Sequence, residues 1–138
     1  MAEIRIVIAD DHPGMREGIR ILLSQIGEAV VVAEAADGIE ALAAVERWQP
    51  DVLLLDVEMP QMTGLEVAAA LSQLPAAPRI LALSAHSDRE YIVEMLRLGA
   101  AGYLVKDEAA GLLAEAVRGL MRGETGWFSP LAAQKLKE

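Results

Sequence analysis

Val52-Leu-Leu-Leu-Asp-Val-Glu-Met-Pro60 is the stretch that decides how the rest of the chain is read. Four consecutive apolar residues leave no side for water, which is the pattern of a central strand covered by helices on both faces. The run nevertheless ends in a carboxylate, Asp56, with Glu58 two residues on. An acid there can be an ordinary turn residue. Whether it is more depends on what the other strands deliver beside it.

Working outward, four more β-rich runs stand at Ile4 to Ala9, Val30 to Ala33, Ile80 to Leu83 and Gly102 to Val105. Between the strands the apolar spacing turns helical: Met15, Ile19, Leu22, Leu23 and Ile26 share one face, as do Leu113, Ala116, Val117, Leu120 and Met121. Thr63-Gly-Leu-Glu66 and Ser87-Asp-Arg-Glu90 both match a capping box ahead of a helix. This alternation predicts an α/β fold of the (βα)5 kind, a doubly wound sheet of five parallel strands. Right-handed crossovers bring all five C-terminal strand ends to one rim, where open α/β sheets bind their ligands.

The remaining composition narrows the function. A chain of 138 residues that is 54% hydrophobic fits one compact core. There are no cysteines, which excludes disulfides and thiolate metal sites and fits a reducing, cytoplasmic setting. The only apolar run near the N-terminus is too short for a membrane span, so no membrane partner is expected. A net charge of −9, with 12 scattered Lys and Arg, would repel a phosphate backbone. No nucleic acid is therefore expected to bind this chain itself.

Past the fifth helix, Gly123-Glu-Thr-Gly126 breaks the pattern, and Ser129-Pro130 supplies an N-cap and first-turn proline for a short terminal helix. Residues 1–122 read as the functional domain. Residues 123–138 read as a tail or linker helix toward an output domain absent from this chain. Trp127 and Phe128 read as packing residues.

On the rim, Asp10 and Asp11 follow the first strand, Asp56 ends the third, Ser84 the fourth and Lys106 the fifth; the second strand supplies nothing comparable. Three carboxylates repel one another unless a cation sits among them, and hard oxygen ligands suit Mg²⁺. A carboxylate in such a pocket can attack a phosphoryl group to give an acyl phosphate, while the cation and the Lys106 ammonium neutralise its oxygens. The Ser84 hydroxyl can donate a hydrogen bond to that group.

These motifs, D-D in I-A-D-D-H-P, D in L-L-D-V-E-M-P-Q-M-T-G, S-A in L-A-L-S-A and K in G-A-A-G-Y-L-V-K-D, resemble the response-regulator receiver domains of two-component signalling. The resemblance implies a CheY-like, flavodoxin-like sheet of order 2-1-3-4-5. It makes Asp56 the phosphoacceptor, Asp11 a direct metal ligand and Asp10 its mostly water-mediated companion, with the Glu58 main-chain carbonyl completing the Mg²⁺ site. Ser84 falls at the hydroxyl switch, Lys106 at the phosphate-pairing position, and Tyr103 at the aromatic switch, whose ring swings inward on activation. The partner would be a sensor histidine kinase. Homodimers would form through the helix 4, strand 5, helix 5 face or the helix 1, helix 5 face. D-D-H-P-G-M-R-E-G-I, K-D and G-W-F-S-P resemble the LuxR/NarL-type branch, in which a DNA-binding domain follows and regulates transcription. Asp107 stands where many receivers carry proline.

Each residue also has a plainer reading: Asp10 and Asp11 as a turn and cap, Ser84 as turn chemistry, Tyr103 as a strand aromatic, Lys106 as a surface lysine. Their convergence on one edge favours the functional one. Glu58 and His86 receive no catalytic duty from the sequence, and His12 reads as a loop residue beside the pocket. Two other functions fit the residues less well. An aspartate-nucleophile phosphatase would carry D-x-D after its first strand, where this chain has D-D-H-P. A degenerate receiver acting only as a binding module is at odds with intact Asp11, Asp56, Ser84 and Lys106.

Overall fold

A computed structural model describes residues 3–138. Strands β1 (Ile4–Ala9), β2 (Ala29–Ala35), β3 (Val52–Leu55), β4 (Arg79–Ser84) and β5 (Gly102–Val105) lie where the apolar runs fall, with β2 and β4 extending slightly beyond them. All pair in parallel, in the order β2-β1-β3-β4-β5. The expected sheet order holds. Its strand count is corrected from five to six, because β6 (Trp127–Phe128) pairs with β5, Gly102 opposite Trp127 and Tyr103 opposite Phe128. A two-residue strand has no periodicity for a sequence to display, and long-range pairing alone defines it.

The helices are α1 (Pro13–Leu23), α2 (Gly38–Trp48), α3 (Gly64–Leu71), α4 (Arg89–Arg97), α5 (Leu113–Met121) and α6 (Pro130–Leu136), with a 3₁₀ turn over Lys106–Gly111. Alternation along the strands divides the core. Ile4, Ile6, Ile8 and Leu54 pack with Ile19 and Leu23 of α1 and Val117 and Leu120 of α5. Val7, Ala9, Leu53 and Leu55 pack with residues of α2, α3, α4 and α6. Both sheet faces are covered, as the all-apolar β3 requires. None of the helices among the described residues is long and apolar enough to cross a membrane.

The capping box at Thr63 is formed: its hydroxyl accepts from Glu66 N–H while Glu66 accepts from Thr63 N–H. The second box is not. The N-cap of α4 is Asp88, with no side-chain cap. Upstream, the His86 N–H donates to Ser84 Oγ and the His86 carbonyl accepts from Tyr103. These bonds tie the β4–α4 loop to the sheet, and the helix starts only after it.

The tail is docked. Ala132 is fully buried, Leu131 and Leu136 pack on the α2–α4 side of the core, and Val105 N–H donates to Ser129 Oγ at 2.9 Å. Ser129, expected to cap α6, thus serves β5 instead, and Glu108 accepts from Leu131 N–H in the first turn of α6. Gly102 is required at the seam, since a Cβ there would lie 2.3 Å from the Trp127 carbonyl oxygen.

Candidate acidic phosphoacceptor pocket

Backbone pairing places the acids. Asp10 N–H donates to Ala35 O and Asp56 N–H to Ala9 O, each at 3.0 Å, so the two residues extend adjacent strands by one step. Both are buried, at 1% and 4% exposure, whereas Asp11 is half-buried. The chain leaves Asp56 under tight constraint: Gly64 N–H bonds Val57 O, and a Cβ on Gly64 would lie 2.0 Å from the Asp56 carbonyl oxygen. Only glycine permits α3 to start so close to the acid.

The expected residues converge. Asp11, Asp56, Glu58 and Lys106 line one cavity of about 600 Å³, walled further by His12, Thr63 and His86. Lys106 Nζ lies 2.7 Å from Asp10 Oδ2 and 3.2 Å from Asp56 Oδ2. Ligand atoms of Asp10, Asp11, His12 and Asp56 fall within 4.8 Å of one another. Ser84 is buried at the tip of β4 just beneath the wall, its oxygen accepting from His86 N–H at 3.0 Å. Tyr103 is not on the cavity surface. Its ring is fully buried in the inward position, and its hydroxyl donates to the His86 carbonyl at 2.7 Å.

Charge in the pocket is unbalanced. Burial pushes the Asp56 carboxyl above its usual range, the Lys106 charge opposes this, and the Asp10 carboxylate adds to it. Burial alone would lower the Lys106 pKa, but the Asp10 hydrogen bond and the Asp56 and Asp10 charges outweigh it and hold the ammonium above its ordinary value. Burial also raises the Tyr103 hydroxyl to about 12, partly offset by the Ser84 hydroxyl.

One carboxylate oxygen, Asp11 Oδ1, is buried and makes no hydrogen bond, its near basic neighbour being His12 Nδ1 at 3.1 Å. Such an anionic oxygen among three carboxylates with one ammonium fits a hard divalent cation. The donors are carboxylates rather than thiolates, which suits an ion of the Mg²⁺ class.

Three contacts were not legible in the sequence. His12 Nδ1 lies 3.3 Å from Asp10 Oδ1 and 3.1 Å from Asp11 Oδ1, although its side chain is mostly exposed. The Glu58 carboxylate meets His86 Nε2 at 2.9 Å, joining the β3–α3 and β4–α4 loops across the cavity mouth. Arg16 Nη1 donates to the Asp10 carbonyl. The two-residue offset of Glu58 and His86 from Asp56 and Ser84 was the one available hint for their pairing.

A parallel sheet that gathers carboxylates, a hydroxyl and an ammonium at its C-terminal edge defines a receiver-type signalling domain. The model of the response regulator receiver domain matches residues 6–118, and the chain belongs to that family. Its relatives are of LuxR/NarL type. It is 41% identical over 121 residues to the transcriptional regulatory protein DegU of Brevibacillus brevis, covering 88% of this chain and 51% of that one. The signal receiver domain of the putative response regulator NarL from Mycobacterium tuberculosis superposes with a TM-score of 0.85 at 40% identity, over 90% of this chain and 100% of that one. A LuxR-family two-component response regulator from Aurantimonas sp. SI85-9A1 gives a TM-score of 0.91 at 32% identity, over 99% and 96%. The chain spans about half the length of the curated relatives it matches. Such regulators are not turnover enzymes.

Proposed function

We propose that Asp56 accepts a phosphoryl group from the phosphohistidine of a sensor histidine kinase and that the resulting acyl phosphate switches the domain. The observation that carries this reading is the convergence of Asp11, Asp56 and Lys106 on one cavity, with buried Asp10 paired to the same Lys106 ammonium. An Asp56 oxygen forms the new P–O bond as the P–N bond to the kinase imidazole breaks, and that imidazole leaves with the bonding pair. Asp10, Asp11, Asp56 and the Glu58 main-chain carbonyl would hold Mg²⁺. The bound ion supplies charge neutralisation for the phosphoryl oxygens.

The chain's own groups do the rest. Lys106 exchanges its Asp10 contact for a phosphoryl oxygen. Ser84 turns its hydroxyl toward the same group, and Tyr103, bonded to the His86 carbonyl, moves with the β4–α4 loop. Water hydrolyses the acyl phosphate slowly, which resets the switch without making the domain a turnover enzyme.

The tail is the route outward. β6 and α6 are fastened to β5 through Ser129 and to the 3₁₀ turn that begins at Lys106 through Glu108, so residues 123–138 form a tail coupled to the segments that flank Lys106. In the parent protein that linker leads to a LuxR/NarL-type DNA-binding domain, acting in the cytoplasm to control transcription. The relatives' greater length and the name of DegU support this reading. Homodimerisation through the α1 and α5 face fits better than through α4, β5 and α5, because α6 packs against α4 and β5.

Intact mass after incubation with acetyl phosphate and Mg²⁺ tests the proposal. Wild-type chain should gain one phosphoryl group, and Asp56→Ala should gain none. An unmodified wild-type mass rejects it.

A further inference from the structure

We propose that Arg16, anchored by Glu34, is a positioning residue: it fixes the Asp10–Asp11 peptide and thereby sets the affinity of the acidic pocket for its divalent cation. The proposal rests on the cation-binding part of the function given above. It assigns a role to β2, the one strand among β1 to β5 that sends no group into the cavity.

The geometry is a clamp with two jaws, one on each side of the Asp10 Cα. On the N-terminal side, Asp10 N–H donates to Ala35 O of β2 at 3.0 Å. On the C-terminal side, Arg16 Nη1 donates to the Asp10 carbonyl oxygen at 2.5 Å. The same guanidinium donates through Nε to Glu34 Oε1 at 3.1 Å, and Glu34 stands opposite Ile8 in the β1–β2 ladder. Arg20 Nη1 holds the second Glu34 oxygen at 2.5 Å. Arg16 is largely buried, with 17% of its side chain exposed.

That carbonyl belongs to the peptide unit that carries the Asp11 nitrogen. Because the unit is planar, fixing its oxygen fixes the direction in which the Asp11 Cα departs. Asp11 bears a buried oxygen that makes no hydrogen bond, so its aim decides whether that oxygen reaches the cation. A planar fork bonding two acceptors on different elements is a task for Arg that a Lys ammonium on a flexible stem does not reproduce. Groups that orient metal ligands typically change affinity by about 10- to 100-fold when lost.

Charge alone predicts the opposite sign. Removing a cation near three carboxylates should tighten Mg²⁺ binding by simple Coulomb attraction. Positioning predicts that binding weakens, and the direction of the change therefore separates the two.

The experiment is calorimetric titration of the unphosphorylated chain with Mg²⁺, with thermal melts in parallel, for wild type, Arg16→Met and Arg16→Lys. Arg16→Met should weaken Mg²⁺ binding about tenfold, and Arg16→Lys should weaken it several-fold although the charge is kept. Glu34→Gln added to Arg16→Met should cause little further loss, because Glu34 acts through Arg16. Affinity that is unchanged or tighter in folded Arg16→Met and Arg16→Lys, even with a lowered Tm, overturns the proposal and leaves the phosphoacceptor reading standing. If Arg16→Met fails to fold, the sign observed for Arg16→Lys decides. A wild-type chain that binds no Mg²⁺ overturns the cation site and the clamp together.

Discussion

The Lys106 ammonium lies closer to Asp10 than to the proposed phosphoacceptor, 2.7 Å against 3.2 Å, so Asp10 is its principal partner at rest. One ammonium thus serves two buried carboxylates. Replacing it with methionine leaves both unpaired, which in a closed interior costs about 3–5 kcal/mol and in this open-mouthed pocket about 2 kcal/mol. Lys106→Met should therefore lower the Tm of the metal-free chain at pH 8. The loss should shrink toward pH 5, where the raised Asp56 carboxyl protonates more readily, and Mg²⁺ should restore part of it. Melts across that pH range check this.

Asp56→Asn should behave oppositely. Its carboxyl is raised from 3.8 chiefly by burial, so the native state binds the proton more tightly than the unfolded state does. Above 3.8 the native state holds more protons, and stability falls as pH rises through the raised value. A neutral isostere removes that slope. Metal-free Asp56→Asn should melt above wild type at pH 7, and the stabilisation that wild type gains from Mg²⁺ by mass action should be largely absent. Melts with and without Mg²⁺ decide it.

Tyr103 should titrate late. Its hydroxyl stands at about 12 against an ordinary 10.0, with burial the main cause. Between those values the native state keeps a proton that the unfolded state has lost, so stability falls as pH rises through this window, by up to about 3 kcal/mol in total. Ultraviolet titration should show a tyrosinate step near pH 12 that Tyr103→Phe removes. At neutral pH the same variant should lose about 1 kcal/mol with the His86 hydrogen bond.

Ser129→Ala should unfasten the tail. The serine is fully buried and accepts from Val105 N–H, so its loss orphans a buried donor at a cost of about 1–3 kcal/mol. Hydrogen exchange should speed up at Val105 and along Trp127 and Phe128, while the amides of β1 and β3 stay protected. Unchanged exchange at Val105 would show that β6 does not depend on this bond.

Much of the fold was legible because its signals are local. A fully apolar run such as Val52–Leu55, or Thr63 set three residues before Glu66, identifies its element whatever it packs against. The Ser87 box failed for the opposite reason: its residues fit the pattern, but bonds from Ser84 and Tyr103 to His86 hold the preceding loop and the helix begins after Asp88. β6 leaves no signal in the sequence because two residues carry no period. Arg16 and Glu34, separated by 18 positions, left no trace of their pairing, and neither did Ser129 and Val105.

By itself the sequence determined that parallel strands would carry Asp10, Asp11, Asp56, Ser84 and Lys106 to one edge, since strand direction and register follow from apolar patterning and crossover handedness. Only tertiary structure decided how those groups are paired at rest: Lys106 on Asp10, Ser84 beneath His86, Asp11 Oδ1 beside His12 without a hydrogen bond, and the tail laid along β5. A strand end fixes where a side chain starts. The partner it bonds is settled by which neighbours from distant segments can satisfy its charge in a space closed to water.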